Sequence, residues 1–283
     1  MILPILLFLL AFLNQTPSSN ASSRSNDVSA FSHFSFPTFT TTSCDDGALI
    51  CMGSVTSKDG YLSLTPEPED DSETLNQVSR VLFKHPVFAW PATITTTFTI
   101  NMNTFPGSNN PADGITFIMA PDSNPPPVNS HGGYLGLMNS TLDGNVVGQL
   151  AVELDTFKNT YDIDNNHVGI DTTSITSPLV AKSLSAKLSS GNDIKVRIDY
   201  SPIGEILQVS MAPVNEEMTI VLSQSIKLSD TVPKSIYVGF TASTGEYRGT
   251  HRILDWEFTS VDSLETTDAT NVGRGIWNIM NKA

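Results

Sequence analysis

The densest chemistry in the sequence lies in VELDTFKNTYDIDNNHVGID, which places Glu153, Asp155, Asn159, Asp162 and His167 close together. If the stretch beginning at Leu150 is extended, side chains two residues apart share a face. Glu153, Asp155 and Phe157 then point one way, and Val152, Leu154 and Thr156 the other. Two carboxylates on one face repel unless a cation lies between them. Asn159, Asp162 and His167 follow in what reads as a loop folding back over that face. Carboxylates, an amide and a backbone carbonyl suit calcium, which takes oxygen ligands alone. An added imidazole selects a transition metal such as manganese or zinc. Asp155 and Asp162 can bridge two such ions. An EF-hand does not fit, because His167 stands where its loop requires glycine and no helical pattern flanks it.

Two glycine-bearing segments accompany this stretch. Pro111-Ala112-Asp113-Gly114 puts Asp113 at the entrance of an apolar strand, Ile115–Ala120. His131-Gly132-Gly133-Tyr134-Leu135-Gly136 can bring bare backbone N–H groups close to a ligand. Each segment taken alone is an ordinary turn.

The elements that must position these residues read as strands. Ala92–Ile100 alternates, with Ile94, Phe98 and Ile100 against Thr93, Thr95, Thr97 and Thr99. Asp193–Tyr200 alternates likewise, and in His251–Phe258 the residues Leu254, Trp256 and Phe258 share a face. Phe31–Phe36, Leu150–Phe157, Met218–Leu222 and Ile236–Thr241 add further runs of strand formers. Turn-forming clusters separate them, and no amphipathic helix of ordinary length precedes residue 262. Many short strands without helices predict an all-β sandwich or jelly roll over residues 31–261. The acidic insert Pro66–Glu73 reads as a solvated loop. The tail, 262–283, is polar up to Trp277 and reads either as flexible or as a short terminal helix.

Composition narrows the function. The chain has 283 residues, 15 basic against 29 acidic, for a formal charge of −14. Scattered single cations argue against nucleic acid, which needs clustered Lys and Arg. Met1–Leu13 is apolar but shorter than the roughly 20 residues of a membrane-spanning helix. Residues 1–21 are therefore expected to be a signal peptide, directing a soluble protein without a membrane span to the cell exterior. In that compartment Cys44 and Cys51 are expected to pair as a disulfide. Asn139-Ser140-Thr141 is an acceptor pattern for N-glycosylation.

ADGITFIMAP, GGYLGL, VELDTFKN, NNHVGIDTTSI and VGFTASTG occur in that order, and together they resemble the legume-type lectins, in particular the extracellular lectin domain of plant lectin receptor kinases. The resemblance covers about 230 residues, from FSHFSF to LDWEF. It implies a jelly-roll β-sandwich of the concanavalin A-like lectin fold, with two metals beneath a bound glycan. Glu153, Asp155, Asp162 and His167 would hold the transition metal, most simply Mn2+, with Ser177 acting through water. Asp155, Asp162, Asn159 and the Phe157 carbonyl would hold Ca2+. Asp113, the Gly133 N–H, Asn159 and the Phe157 ring would hold the sugar, lined by Glu246 and Tyr247. The resemblance also implies a cis bond between Ala112 and Asp113 and a homodimer formed through the back sheets. The role expected from it is glycan recognition in the apoplast or cell wall, in plant defence or signalling, and not catalysis. A jelly-roll glycosidase would need E-x-D-x-E, and Phe157 occupies the third position. The competing expectation is a sugar-inactive storage, inhibitor or decoy protein.

Overall fold

The computed structural model describes residues 31–70 and 74–263. The expected signal peptide and all but the first two residues of the tail lie outside the described residues. Among them, two eight-stranded sheets form a sandwich in which every pairing is antiparallel. The back sheet holds β1 (Phe31–Phe36), β3 (Thr56–Lys58), β4 (Tyr61–Ser63), β7 (Ala92–Thr104), β12 (Ser190–Ser201), β13 (Ile206–Pro213), β14 (Thr219–Ser225) and β16 (Gly249–Asp262). The front sheet holds β2 (Leu49–Gly53), β5 (Val78–Phe83), β6 (Val87–Phe88), β8 (Gly114–Ala120), β9 (Leu150–Asp155), β10 (His167–Asp171), β11 (Val180–Ser183) and β15 (Ser235–Ser243). The helices among the described residues are single turns, an α-turn at Leu228–Thr231 and a 3-10 turn at Gly132–Tyr134.

The inner faces make the core. From β7, Ile94, Phe98 and Ile100 meet Phe117 of β8 and Phe240 of β15, as the alternation predicts. Thr96 is buried on the same face, where it accepts a hydrogen bond from Trp256 Nε1 and donates one to the Glu257 carbonyl. In β16 the expectation fails at Leu254. The register shifts between Ile253 and Asp255, so Leu254 is the extra residue and Ile253 joins Trp256 and Phe258 in the core.

The front sheet is covered on both faces. Val152 and Leu154 of β9 enter the main core, whereas Leu82, Ile118, Ala120 and Ala151 pack outward against Leu135, Leu137 and Met138. This second core fastens the long connection between β8 and β9 over the sheet, and that connection carries Gly133. Burial on both sides explains why β8 reads as a nearly unbroken apolar run.

Part of the acidic insert is buried, contrary to expectation. Arg252 donates to Glu67 Oε1 and Oε2 at 2.7 and 2.5 Å, and Ser63 Oγ donates to Oε1 at 2.7 Å. Lys58 pairs with Asp70 at 2.8 Å. Burying Glu67 is tolerable because a charged fork and a hydroxyl meet its oxygens. Cys44 and Cys51 form the expected disulfide.

Candidate functional site

The floor of the site is β9 and β10. His167 pairs with Asp155, and Gly169 with Glu153, across the ladder. His167 therefore opens the neighbouring strand and does not lie in the loop where the sequence alone placed it. Gly169 makes room for the acid opposite, since a Cβ there would lie 2.1 Å from Glu153 Oε1. One ligand atom each from Glu153, Asp155 and His167 falls within 4.8 Å of the others, and all three residues are buried. His167 Nε2 stands 3.4 Å from Glu153 Oε1. Its Nδ1 lies 3.1 Å from the Asp164 carbonyl. A carbonyl can only accept, so this bond puts the proton of the neutral ring on Nδ1 and leaves the Nε2 lone pair toward the carboxylates. Burial pulls the imidazole pKa down, but Glu153, Asp162 and Asp164 together lift it above its ordinary value.

Beyond β9 the chain turns through Asn159 and Asp162. The Phe157 N–H donates to Asp155 Oδ1 at 2.7 Å, and the Asn159 N–H donates to Asp162 Oδ2 at 2.6 Å. Burial, then Glu153 and Asp162, push the Asp155 carboxyl well above the usual range. Burial raises Asp162 as well. The turn is shaped by main-chain donors, so its acids point where an added positive charge would meet several of them together.

Asp113 approaches from the entrance to β8, across a cis Ala112–Asp113 bond. Its N–H donates to the Ser243 carbonyl, and its own carbonyl accepts from the Thr156 N–H and hydroxyl. The carboxyl is 3% exposed. Its Oδ2 has no hydrogen-bond partner, and neither has the buried Oδ1 of Asn159. Burial, followed by the charge of Asp162, pushes Asp113 up to about 7. Gly133 closes on Asn159, where a Cβ would meet Asn159 Oδ1 at 2.4 Å and the Tyr161 hydroxyl at 2.3 Å. That hydroxyl donates to the Gly133 carbonyl at 3.1 Å. A Cβ on Gly245 would lie 2.8 Å from Asp113 Oδ2 and 3.0 Å from Gly132 Cα. Asp113, Gly133, Asn159 and Gly245 thus converge on one spot. The rings of Phe157, two residues before Asn159, and Tyr247, two after Gly245, pack on each other with centroids 5.3 Å apart.

The other expected residues stand further out. Glu246 is exposed beside Gly245. Ser177 is exposed in the turn after β10, with its N–H on Ser174 Oγ, and no direct hydrogen bond joins it to the acid–imidazole group. Asn139 uses its side chain to hold a turn, donating to the Val128 carbonyl and accepting from the N–H groups of Thr141 and Leu142.

Sequence reasoning missed Asp171. Two residues beyond Gly169, it shares the face of Glu153, is 1% exposed, and has no partner for either carboxylate oxygen. Burial, then Glu153, push it well above the usual carboxylate range. Its spacing from His167, i to i+4 in a strand, is the signal that marks it. Among the described residues no Lys or Arg forms an ion pair with Glu153, Asp155, Asp162 or Asp171; His167 alone does, with Glu153. Buried acids without a basic partner, beside an imidazole whose lone pair is free, fit divalent cations as ligands.

Residues 31–273 match the family model of the legume lectin domain. The chain belongs to the legume lectin family. Legume lectins are carbohydrate-binding proteins without enzymatic activity, and they generally hold Ca2+ and a transition metal. A lectin-related protein of Cladrastis kentukea is 35% identical over 251 residues, 85% of this chain and 83% of its own. A bark lectin of Styphnolobium japonicum is 34% identical over 245 residues, 83% of this chain and 87% of the lectin. Among solved structures, lectin I-B4 of Griffonia simplicifolia in its metal-free form is 32% identical with a TM-score of 0.71, covering 81% of this chain and 99% of that legume lectin. The sandwich is therefore the jelly roll of the family.

Proposed function

We propose that this legume lectin binds a glycan, holding the sugar with Asp113, the Gly133 N–H and Asn159 and stacking it on the Phe157 ring. The observation that carries this reading is the pair of orphaned polar atoms, Asp113 Oδ2 and Asn159 Oδ1, set beside buried acids that face one imidazole. Such groups are costly to bury unless a ligand or cation completes them. Asp155, Asp162, the Asn159 Oδ1 and the Phe157 carbonyl are the ligands proposed for Ca2+. Glu153, Asp155, Asp162 and His167, with Ser177 through water, are those proposed for Mn2+. When bound, such ions would supply the positive charge that lets these carboxylates stay ionised. Asn159 would then serve both, with its partnerless Oδ1 as the cation ligand and its Nδ2 as the sugar donor.

A monosaccharide in a shallow site makes few contacts, and a millimolar constant corresponds to about −4 kcal/mol. A homodimer through the back sheets would present two sites, and avidity can add about 10²–10⁴. Secretion to the apoplast or cell wall, glycosylation at Asn139 and a part in defence or signalling complete the proposal. Catalysis is not part of it, since Phe157 stands where a retaining β-glucanase needs its second carboxyl.

One observation favours a second reading. The Tyr247 ring leans on Phe157, the ring that a sugar would stack on. A member so covered would be a sugar-inactive storage, inhibitor or decoy protein. A glycan array run with and without calcium tests both. Calcium-dependent binding that Asp113→Ala abolishes supports the lectin reading. A silent array that becomes positive only with Tyr247→Ala supports the second. Binding that persists after exhaustive chelation overturns the proposed metal dependence.

A further inference from the structure

Arg80 is 5% exposed and forms no ion pair among the described residues. It lies in β5 between Met52 of β2 and Thr241 of β15. Its neighbour Val81 packs into the main core and Leu82 into the outer one, so Arg80 shares the outer face with Leu82. The guanidinium donates to two main-chain carbonyls, from one nitrogen to Asn124 at 3.1 Å and from the other to Gly136 at 3.2 Å. Asp122, whose Oδ1 accepts from the Asn124 N–H, is the acid whose charge offsets the burial.

Those carbonyls stand at the two ends of one loop, with Gly133 between them. The loop needs such a hold. Asn129, Gly132, Leu135 and Gly136 all take positive φ, and Leu135 does so at 49° while buried. A non-glycine residue in that region persists only where its surroundings over-determine it. Ser243 Oγ holds the Gly132 carbonyl, Thr241 Oγ1 holds that of Leu135, and the Gly132 N–H reaches the Thr244 carbonyl. These bonds all reach residues from Gly132 onward. Within the loop the Gly136 N–H reaches the Ser130 carbonyl, and Asn139 Nδ2 holds the Val128 carbonyl from beyond it, but it is Arg80 that joins Asn124 to Gly136. The planar fork of arginine suits two carbonyls at once, which the single ammonium of lysine does not.

We infer that Arg80 is a positioning residue for the glycan site, closing the Asn124–Gly136 loop so that the Gly133 N–H is presented beside Asn159. The inference rests on the proposed lectin reading for its functional consequence, while the bracing itself does not. The test uses the full chain supplied with calcium and manganese, as wild type, Arg80→Met and Arg80→Lys. Amide hydrogen exchange is followed at Gly132, Leu135 and Gly136, and binding is measured to immobilised yeast mannan and asialofetuin. Arg80→Met should speed exchange in the loop, leave the Leu150–Asp155 amides at wild-type rates, and weaken binding about tenfold, the worth of one hydrogen bond to a charged group. Arg80→Lys should recover part of both losses. Loop exchange that stays at wild-type rates in Arg80→Met would overturn the inference. So would exchange that rises equally in the loop and in both sheets, the mark of a merely structural residue. If wild type binds neither probe, the glycan reading fails for these sugars, and the exchange measurement still decides what Arg80 does.

Discussion

His167 lies opposite Asp155 across β9 and β10 and brings Nε2 within 3.4 Å of Glu153 Oε1. One imidazole thus stands among buried carboxyls of the neighbouring strand, Glu153 and Asp155, while Asp171 further along β10 is buried near Glu153. Its other nitrogen is spent on the Asp164 carbonyl, so the ring cannot turn away without losing a hydrogen bond. The protein has arranged more negative charge on this face than its own residues neutralise.

Gly169 sets the geometry of that group. Gly169→Ala would force Glu153 aside, because the new Cβ would fall 2.1 Å from Oε1. The expected result is loss of bound manganese, read by elemental analysis, and a destabilisation of about 1–3 kcal/mol from overpacking. Manganese retained at the wild-type level would mean that Glu153 is not a ligand.

How much of this the sequence discloses depends on distance along the chain. The pair Glu153 and Asp155 is legible from an i, i+2 spacing, and the cis bond at Asp113 and the ligand loop from the family resemblance. Gly169 and Asp171 acquire meaning only once β10 is laid against β9, which the local pattern does not state. Strand β13 is not among the runs singled out, although Leu207, Val209 and Met211 alternate and are buried. The burial of Glu67 was illegible because its partner, Arg252, lies 185 residues away. Leu254 was misplaced because a bulge reverses the facing of every residue before it, and nothing in the alternation reveals the slip.

That distant pair gives a prediction for stability alone. Arg252→Ala would leave Glu67 buried and opposed only by Ser63 Oγ. Glu67 is buried while Arg252 is 32% exposed, so leaving the acid without its partner should cost about 1–3 kcal/mol. Chemical denaturation should show a loss of that order, while glycan binding by the surviving folded fraction stays at the wild-type level. A loss below about 1 kcal/mol, the worth of a surface ion pair, would show that Glu67 reaches water.

The acids predict an inverted pH dependence for metal-stripped protein. Asp113 is raised from 3.8 to about 7, and Asp155 and Asp171 are raised in the same direction. An acid with a raised folded-state pKa holds its proton more tightly folded than unfolded. Its contribution to stability is complete below the unfolded value near 3.8 and is lost as pH climbs through about 7. The midpoint of thermal unfolding should therefore fall between about pH 4 and pH 7 after metal removal. Calcium and manganese, if held by the ionised forms as proposed, should flatten or reverse the fall. A stripped protein most stable at pH 7 would contradict the burial of these groups.

Gly133→Ala separates the proposed sugar contacts from the proposed manganese ligands. The added methyl would meet Asn159 Oδ1 at 2.4 Å and the Tyr161 hydroxyl at 2.3 Å, and side chains can swing where backbone cannot. If Asn159 serves both calcium and sugar, its displacement should weaken both together, by roughly tenfold or more for the loss of a charge-assisted contact. Manganese content should hold, because Glu153 and His167 are untouched. Adding Tyr161→Phe removes the other obstacle and leaves the Asn159 clash in place. The double variant should thus remain impaired in isothermal titration with calcium and in glycan binding. Full recovery would place the fault at Tyr161 and remove Asn159 from its double role.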